Sequence, residues 1–323
     1  MWVLSLGKYF AVAPFRLNEG SYSRVTQFFT TSVVLAIVFC YACFSVSENL
    51  NTRHLFSYVG IFLTLLETSL VSICLINSNV LLQHWKVFYN NLLKVEILME
   101  KYNNFLVSKK MTSYYCEIFM VFFVCFALHG YLIVIWVKYD YYDEIISNFL
   151  WIIAHLYMNF ILLLTCYLSQ VLKRRYDFLN NLVKDVCTSA SNIPEEKVIL
   201  KLNEVIWFYK TVHVLLVSFN KIFGWQLFLY VALSVTYIVD HIVVHLIFER
   251  DANLIVPNYL IIIDYIIFLV VLTMYCDSAE KSGEQIIITC YLHHESAKGR
   301  LVKHQLLELA WYAKQWRPTF SAA

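Results

Sequence analysis

Six long apolar runs separated by polar stretches organise this chain. A helix needs roughly 20 mainly apolar residues to cross about 30 Å of hydrocarbon. The runs over 25–46, 55–76, 116–137, 145–172, 222–248 and 254–276 each meet that length. Only 4 prolines and 7 glycines interrupt 323 residues, so the pattern predicts an all-α fold, a polytopic membrane helix bundle. The polar connections alternate between short and long. Segments 47–54, 138–144 and 249–253 are brief, whereas 77–113, 173–211 and the flanking 1–24 and 277–323 are extended.

The long segments carry helical patterning of their own. From Tyr176, the apolar positions Leu179, Leu182, Val183 and Val186 follow helical spacing. Cys187 to Asn192 is a small, polar break, and Pro194-Glu195-Glu196 then opens a second helix with acids at the positive end of its dipole. Val198, Leu202, Val205, Ile206 and Tyr209 form its stripe, which runs on into the fifth apolar run. The tail repeats the pattern with Ile286, Leu301, Leu306, Leu309 and Trp311. Such amphipathic stretches can lie on a membrane surface. Their polar faces mix acids and bases, which favours packing together in a bundle that continues the spans. There is no internal repeat or low-complexity tract.

Charge then orients the bundle. Of the 25 Lys and Arg, 3 fall in 1–24, 5 in 77–113, 7 in 173–211 and 6 in 277–323, against one in each short connection. Short cytosolic loops retain Lys and Arg, so the cationic segments are expected inside, with both termini cytosolic. That orientation disfavours a G-protein-coupled receptor, whose N-terminus lies outside. The first run lacks an early cleavage site and reads as a retained signal-anchor. Tyr139, Tyr141, Tyr142 and Trp151 suit one outer interface. Outer loops this short leave no room for a folded ectodomain, so an external ligand must be met between the helices. A mean hydropathy of +0.61 excludes an ordinary soluble globule. Scattered cations mixed with acids disfavour nucleic-acid binding. None of the nine cysteines lies in a predicted outer loop, and Cys40 and Cys43 lack companion ligands, so they read as small apolar filler.

Ionisable groups inside a bilayer are costly and face a cavity or a partner. Glu67 lies roughly 18 Å of helix into the second span, and Asp264 roughly 15 Å into the sixth. His155 is at similar depth in the fourth, sharing a face with Asn159 at i,i+4. His129 falls in the outer half of the third span, and Asp240, His241 and His245 in the outer third of the fifth. Two readings stand: these groups line an aqueous pocket for a small polar ligand, or they hydrogen-bond the helices together. On the first, Glu67, His129, His155, Asn159, Asp240, His241 and Asp264 are the candidate ligand-binding residues. His241 and His245 resemble half a metal site but lack a third ligand. No enzyme motif is present, neither a nucleophile elbow nor a Gly-rich phosphate loop nor a zinc-protease helix, and no cofactor is implied. His293-His294-Glu295 reads as a solvated helix surface.

The fifth span opens Phe219-Asn220-Lys221-Ile222-Phe223-Gly224. Beyond the sixth, Tyr275-Cys276 leads to Glu280, then through Leu306-Leu307 to Pro318-Thr319-Phe320-Ser321-Ala322-Ala323. With the N-terminus-in topology and minimal outer loops, these features resemble insect gustatory receptors, within the insect chemoreceptor superfamily that includes odorant receptors. The resemblance covers nearly the whole chain. It implies a subunit of a tetrameric ligand-gated cation channel, joined largely through cytosolic helices, with a small-molecule tastant and membrane lipid as partners. Family members have a seventh span that lines the pore and carries a Thr-Tyr and Gln-Phe hallmark. This sequence stops at Ala323, so six of seven spans are expected, with 277–323 a cytosolic helix leading towards the seventh. An odorant receptor is the nearest alternative. A secondary transporter is disfavoured because the spans contain few glycines and only Pro257.

Overall fold

The computed structural model describes residues 21–52, 55–102, 145–189, 193–247, 252–297 and 299–321, together with 123, 127, 130, 131 and 134. Among the described residues there are seven helices and no strands: α1 (Ser21–Thr52), α2 (Leu55–Val80), α3 (Leu82–Tyr102), α4 (Ile145–Ser189), α5 (Glu195–Ile247), α6 (Ala252–Ser296) and α7 (Arg300–Gln315). The third expected span, 116–137, falls almost wholly outside the described residues, although its five described positions are helical.

Helix length is the main feature. α4 and α6 have 45 residues each and α5 has 53. At 1.5 Å per residue these are roughly 68 and 80 Å long, more than twice a bilayer's apolar thickness. Among the described residues, five helices hold stretches apolar enough to cross a membrane: α1, α2, α4, α5 and α6. The surplus length is the amphipathic pattern seen in 173–211 and 277–296, continuous with the spans.

Local chemistry explains the ends. Pro194 lacks an N–H and sits where none is needed, while its carbonyl accepts from Lys197 N at 3.0 Å and Val198 N at 3.3 Å to start α5. α4 persists through Ser189, three residues into the expected break, with the Thr188 hydroxyl donating back to the Lys184 carbonyl at 2.9 Å. α2 passes into α3 with only Leu81 between them; Leu81 N reaches the Asn77 carbonyl and Trp85 N the Leu81 carbonyl, both at 3.0 Å.

α1 packs on α2, α3 on α5, α4 along α6, and α7 against α5 and α6. In the extensions and the adjoining ends of the spans, Tyr176, Phe208, Tyr209, Phe219 and Phe223 are fully buried. The α7 stripe differs from the expected one. Leu306 and Leu309 are buried with Val302, Ala310 and Ala313, but Leu301 and Trp311 are exposed. At 100° per residue, 301 and 311 fall off the face set by 302, 306, 309 and 313.

Candidate ligand site inside the bundle

Ionisable residues of five separate helices meet in one chain of contacts. Glu67 is buried on α2; its Oε2 accepts from the Tyr41 hydroxyl of α1 at 2.7 Å and its Oε1 from the Tyr237 hydroxyl of α5 at 2.8 Å. The Tyr237 ring stacks on Tyr265 of α6, with centroids 4.7 Å apart and planes within 19°. The Tyr265 hydroxyl lies 3.3 Å from His155 Nδ1, and His155 Nε2 lies 3.1 Å from Asp264 Oδ2. A neutral imidazole satisfies both contacts, with Nε2–H donating to the carboxylate and Nδ1 accepting from the phenol. Five helices are thereby tied together through α1, α2, α4, α5 and α6.

The arrangement answers the cost of placing carboxylates in hydrocarbon. Charge-assisted hydrogen bonds from phenols replace the hydration that Glu67 loses, and the His155–Asp264 pair is only 2% and 7% exposed. Ser45 of α1 and Thr64 of α2 add an oxygen–oxygen contact of 2.7 Å one turn before Glu67, which fixes the α1–α2 register.

Of the residues expected from sequence, Glu67, His155 and Asp264 therefore belong to one network. Asn159 lies one turn along α4 from His155 and is buried, and both its Nδ2 and Oδ1 have no partner among the described residues. Asp240 and His241 are partly exposed neighbours. His241 Nδ1 lies 3.0 Å from the Tyr237 carbonyl, closer than the 3.8 Å to Asp240, so His241 joins the network edge through the α5 backbone. His129 and the side chain of His245 lie outside the described residues. Among the described residues no group of three His, Cys, Asp or Glu is arranged to hold a metal.

Sequence reading missed the tyrosines. Tyr41, Tyr237 and Tyr265 are buried, and they carry most of the links. A signal existed on α5, where Gln226, Tyr230, Ser234, Tyr237 and His241 recur at three- and four-residue steps along one face.

A second cluster lies midway along α5, around Asn220. Asn220 Nδ2 donates to the Thr319 carbonyl at 2.8 Å, and Ser321 N donates back to Asn220 Oδ1 at 3.3 Å. Phe320 N donates to Glu280 Oε1 of α6 at 2.6 Å, while the Phe320 ring meets Phe219 edge-on at 5.2 Å. Upstream, the Tyr209 hydroxyl donates to the Trp316 carbonyl at 2.8 Å. The strap 316–321 is thus clasped by the asparagine that opens the fifth span and the glutamate beyond the sixth.

The chain's superposition on the insect olfactory receptor OR5 from Machilis hrabei, a structure in complex with eugenol, has a TM-score of 0.69. It covers 100% of this chain and 91% of that one at 11% identity, a likeness of fold alone. No curated protein matches the chain. The family model described as 7tm Chemosensory receptor matches residues 2–322. With that match across nearly its whole length, the chain belongs to the 7tm chemosensory receptor family.

Proposed function

We propose that this chain is a gustatory receptor, the chemosensory subunit of a ligand-gated cation channel, which binds a small tastant between the helices in the outer half of the membrane. The observation that carries the reading is the network from Tyr41 through Glu67, Tyr237, Tyr265 and His155 to Asp264. A ligand that hydrogen-bonds to Glu67 or Asp264 has to replace or perturb contacts between helices. Binding then favours a different packing of the bundle, as differential affinity for two states requires. The likeness in fold to a receptor solved with eugenol supports a small organic ligand. The expected orientation puts the N-terminus and the long helical extensions in the cytosol. There, α5 exposes Leu200, Trp207, Val214 and Val217, and α7 exposes Leu307 and Trp311, apolar surface suited to other subunits of a tetramer.

The test is ligand-evoked cation current from the complete receptor at the cell surface, screened with a chemically diverse tastant panel. Asp264→Asn and Glu67→Gln are expected to shift the half-activating concentration by tenfold or so while surface expression persists. Receptor that reaches the surface and passes no current with any of the panel overturns the reading. The resemblance in fold to an olfactory receptor favours one second reading, an odorant receptor. Current that appears only with a shared co-receptor subunit would select it.

A further inference from the structure

The molecule holds a cavity at the end of its long helices opposite the network. It measures about 440 Å³ and is formed where α4 ends, α5 begins, α6 ends and α7 begins. Cys187 and Thr188 come from α4, Glu195 and Val198 from α5, and His293 and Ser296 from α6; Ile193, Ala297, Gly299 and Val302 complete the wall. Its volume falls within the usual range of small-molecule sites, roughly 300–1,000 Å³. Along α6 it is roughly 43 Å from Asp264, so it is separate from the network in the membrane.

The polar lining is biased towards hydrogen-bond acceptors. The Thr188 hydroxyl already donates to the Lys184 carbonyl at 2.9 Å, and the Ser296 hydroxyl to the His293 carbonyl at 3.1 Å. Each therefore presents only lone pairs to a guest. The last carbonyls of α4 and α6 add the negative ends of two helix dipoles. Among the described lining residues, Glu195 supplies the one carboxylate. Its Oε1 lies over Gly299, in the space that a Cβ at that position would fill, beside the start of α7. The positive ends of α5 and α7 also face this region, but the first turn of α5 donates to Pro194, and Glu195 lies over that of α7. His293 can donate or accept. Ile193, Val198, Ala297 and Val302 provide an apolar floor.

We infer that this cavity is a binding site for a small amphipathic organic cation, an amidinium, guanidinium or protonated amine on a short apolar body. The cationic head lies against Glu195 and the spare lone pairs of Thr188 and Ser296; the body lies on Val198 and Val302. On the orientation argued above, such a ligand arrives from the cell interior, independently of any tastant.

Cys187 lines the cavity and reports on it. Burial pushes its thiol up to about 11, so alkylation is slow and sensitive to shielding. The experiment uses the purified full chain in lipid nanodiscs. N-ethylmaleimide labelling of Cys187 at mildly alkaline pH is followed by peptide mass spectrometry with benzamidinium, benzamide or benzoate, which share a shape and differ in charge. Benzamidinium is expected to slow Cys187 labelling several-fold with saturating dose dependence, with Cys40 unaffected and the other two probes inactive. Glu195→Gln should raise the half-protecting concentration about tenfold, the loss of one charge-assisted contact. Ser296→Trp, on the exposed rim, should block the effect by filling the cavity. Unchanged Cys187 labelling at millimolar benzamidinium overturns the inference. Equal protection by benzoate, or protection untouched by both substitutions, overturns it too.

Discussion

The Tyr237 hydroxyl donates to Glu67 Oε1 at 2.8 Å, joining α5 to α2 inside the bundle. Because Tyr41 occupies the other carboxylate oxygen, removing either phenol leaves a buried acceptor short of a donor. Tyr237→Phe is expected to destabilise the protein by about 1–3 kcal/mol. In a Glu67→Leu background the same substitution should cost far less, because the acceptor is gone. Thermal unfolding in nanodiscs over this double-mutant cycle measures the coupling. Additive effects would show that the contact contributes nothing between α2 and α5.

Gly283 of α6 is where the strap presses closest. A Cβ at this position would lie 2.4 Å from Pro318 Cγ and 3.4 Å from the Tyr176 ring. Gly283→Ala must therefore push Pro318 away, straining the hydrogen bonds from Phe320 to Glu280 and from Asn220 to Thr319. Overpacking of this kind costs about 1–3 kcal/mol, partly offset by the better helix propensity of alanine. Limited proteolysis is expected to cut 316–321 faster in Gly283→Ala and in Asn220→Ala. Unaltered cleavage in both would show that the clasp does not hold the strap.

The strap also shows what was legible in the sequence. Asn220, Glu280 and Thr319-Phe320 stood out individually as pieces of a family resemblance, yet their contacts span 99 and 40 residues and no periodicity encodes them. The helices were readable because a 3.6-residue repeat is local: the stripe from Val198 to Tyr209 is buried at each of its positions. Depth along a span placed Glu67, His155 and Asp264 at matching levels, since each residue adds a fixed rise. It did not orient them about the helix axes, so their linkage through Tyr237 and Tyr265 emerged only from packing. Tyrosine is ambiguous in an apolar run, where the ring passes for filler until its hydroxyl is given a partner.

His213 makes stability dependent on pH. On α5, before the fifth span, it stacks on Trp316 with centroids 5.1 Å apart and planes within 16°. Lys210 sits one turn earlier, over the Tyr312 ring at 4.0 Å. Burial lowers the His213 imidazole from its ordinary 6.5, so the unfolded chain binds the proton more readily than the folded one. The contribution is therefore present above 6.5 and is lost as pH falls through the folded-state value. Wild-type protein should lose melting temperature on moderate acidification, and His213→Asn should flatten that slope. Equal slopes for the two proteins would assign the dependence to other groups.

Asn159 separates stability from recognition. The residue is 4% exposed, and neither its side-chain nitrogen nor its oxygen has a partner among the described residues. A buried amide left unsatisfied costs about 1–3 kcal/mol, and replacing it by an apolar group of similar size removes that cost. Asn159→Leu is thus expected to leave the melting temperature unchanged or raise it. If the amide is kept to meet a ligand beside His155, the same substitution should weaken the evoked current by tenfold or more in half-activating concentration, because a ligand's polar group then faces a leucine. Thermal unfolding and dose–response recordings on the one variant decide between the roles. A large loss of stability would make Asn159 a structural hydrogen-bonding residue, whereas unchanged stability with an unchanged response would remove it from the site.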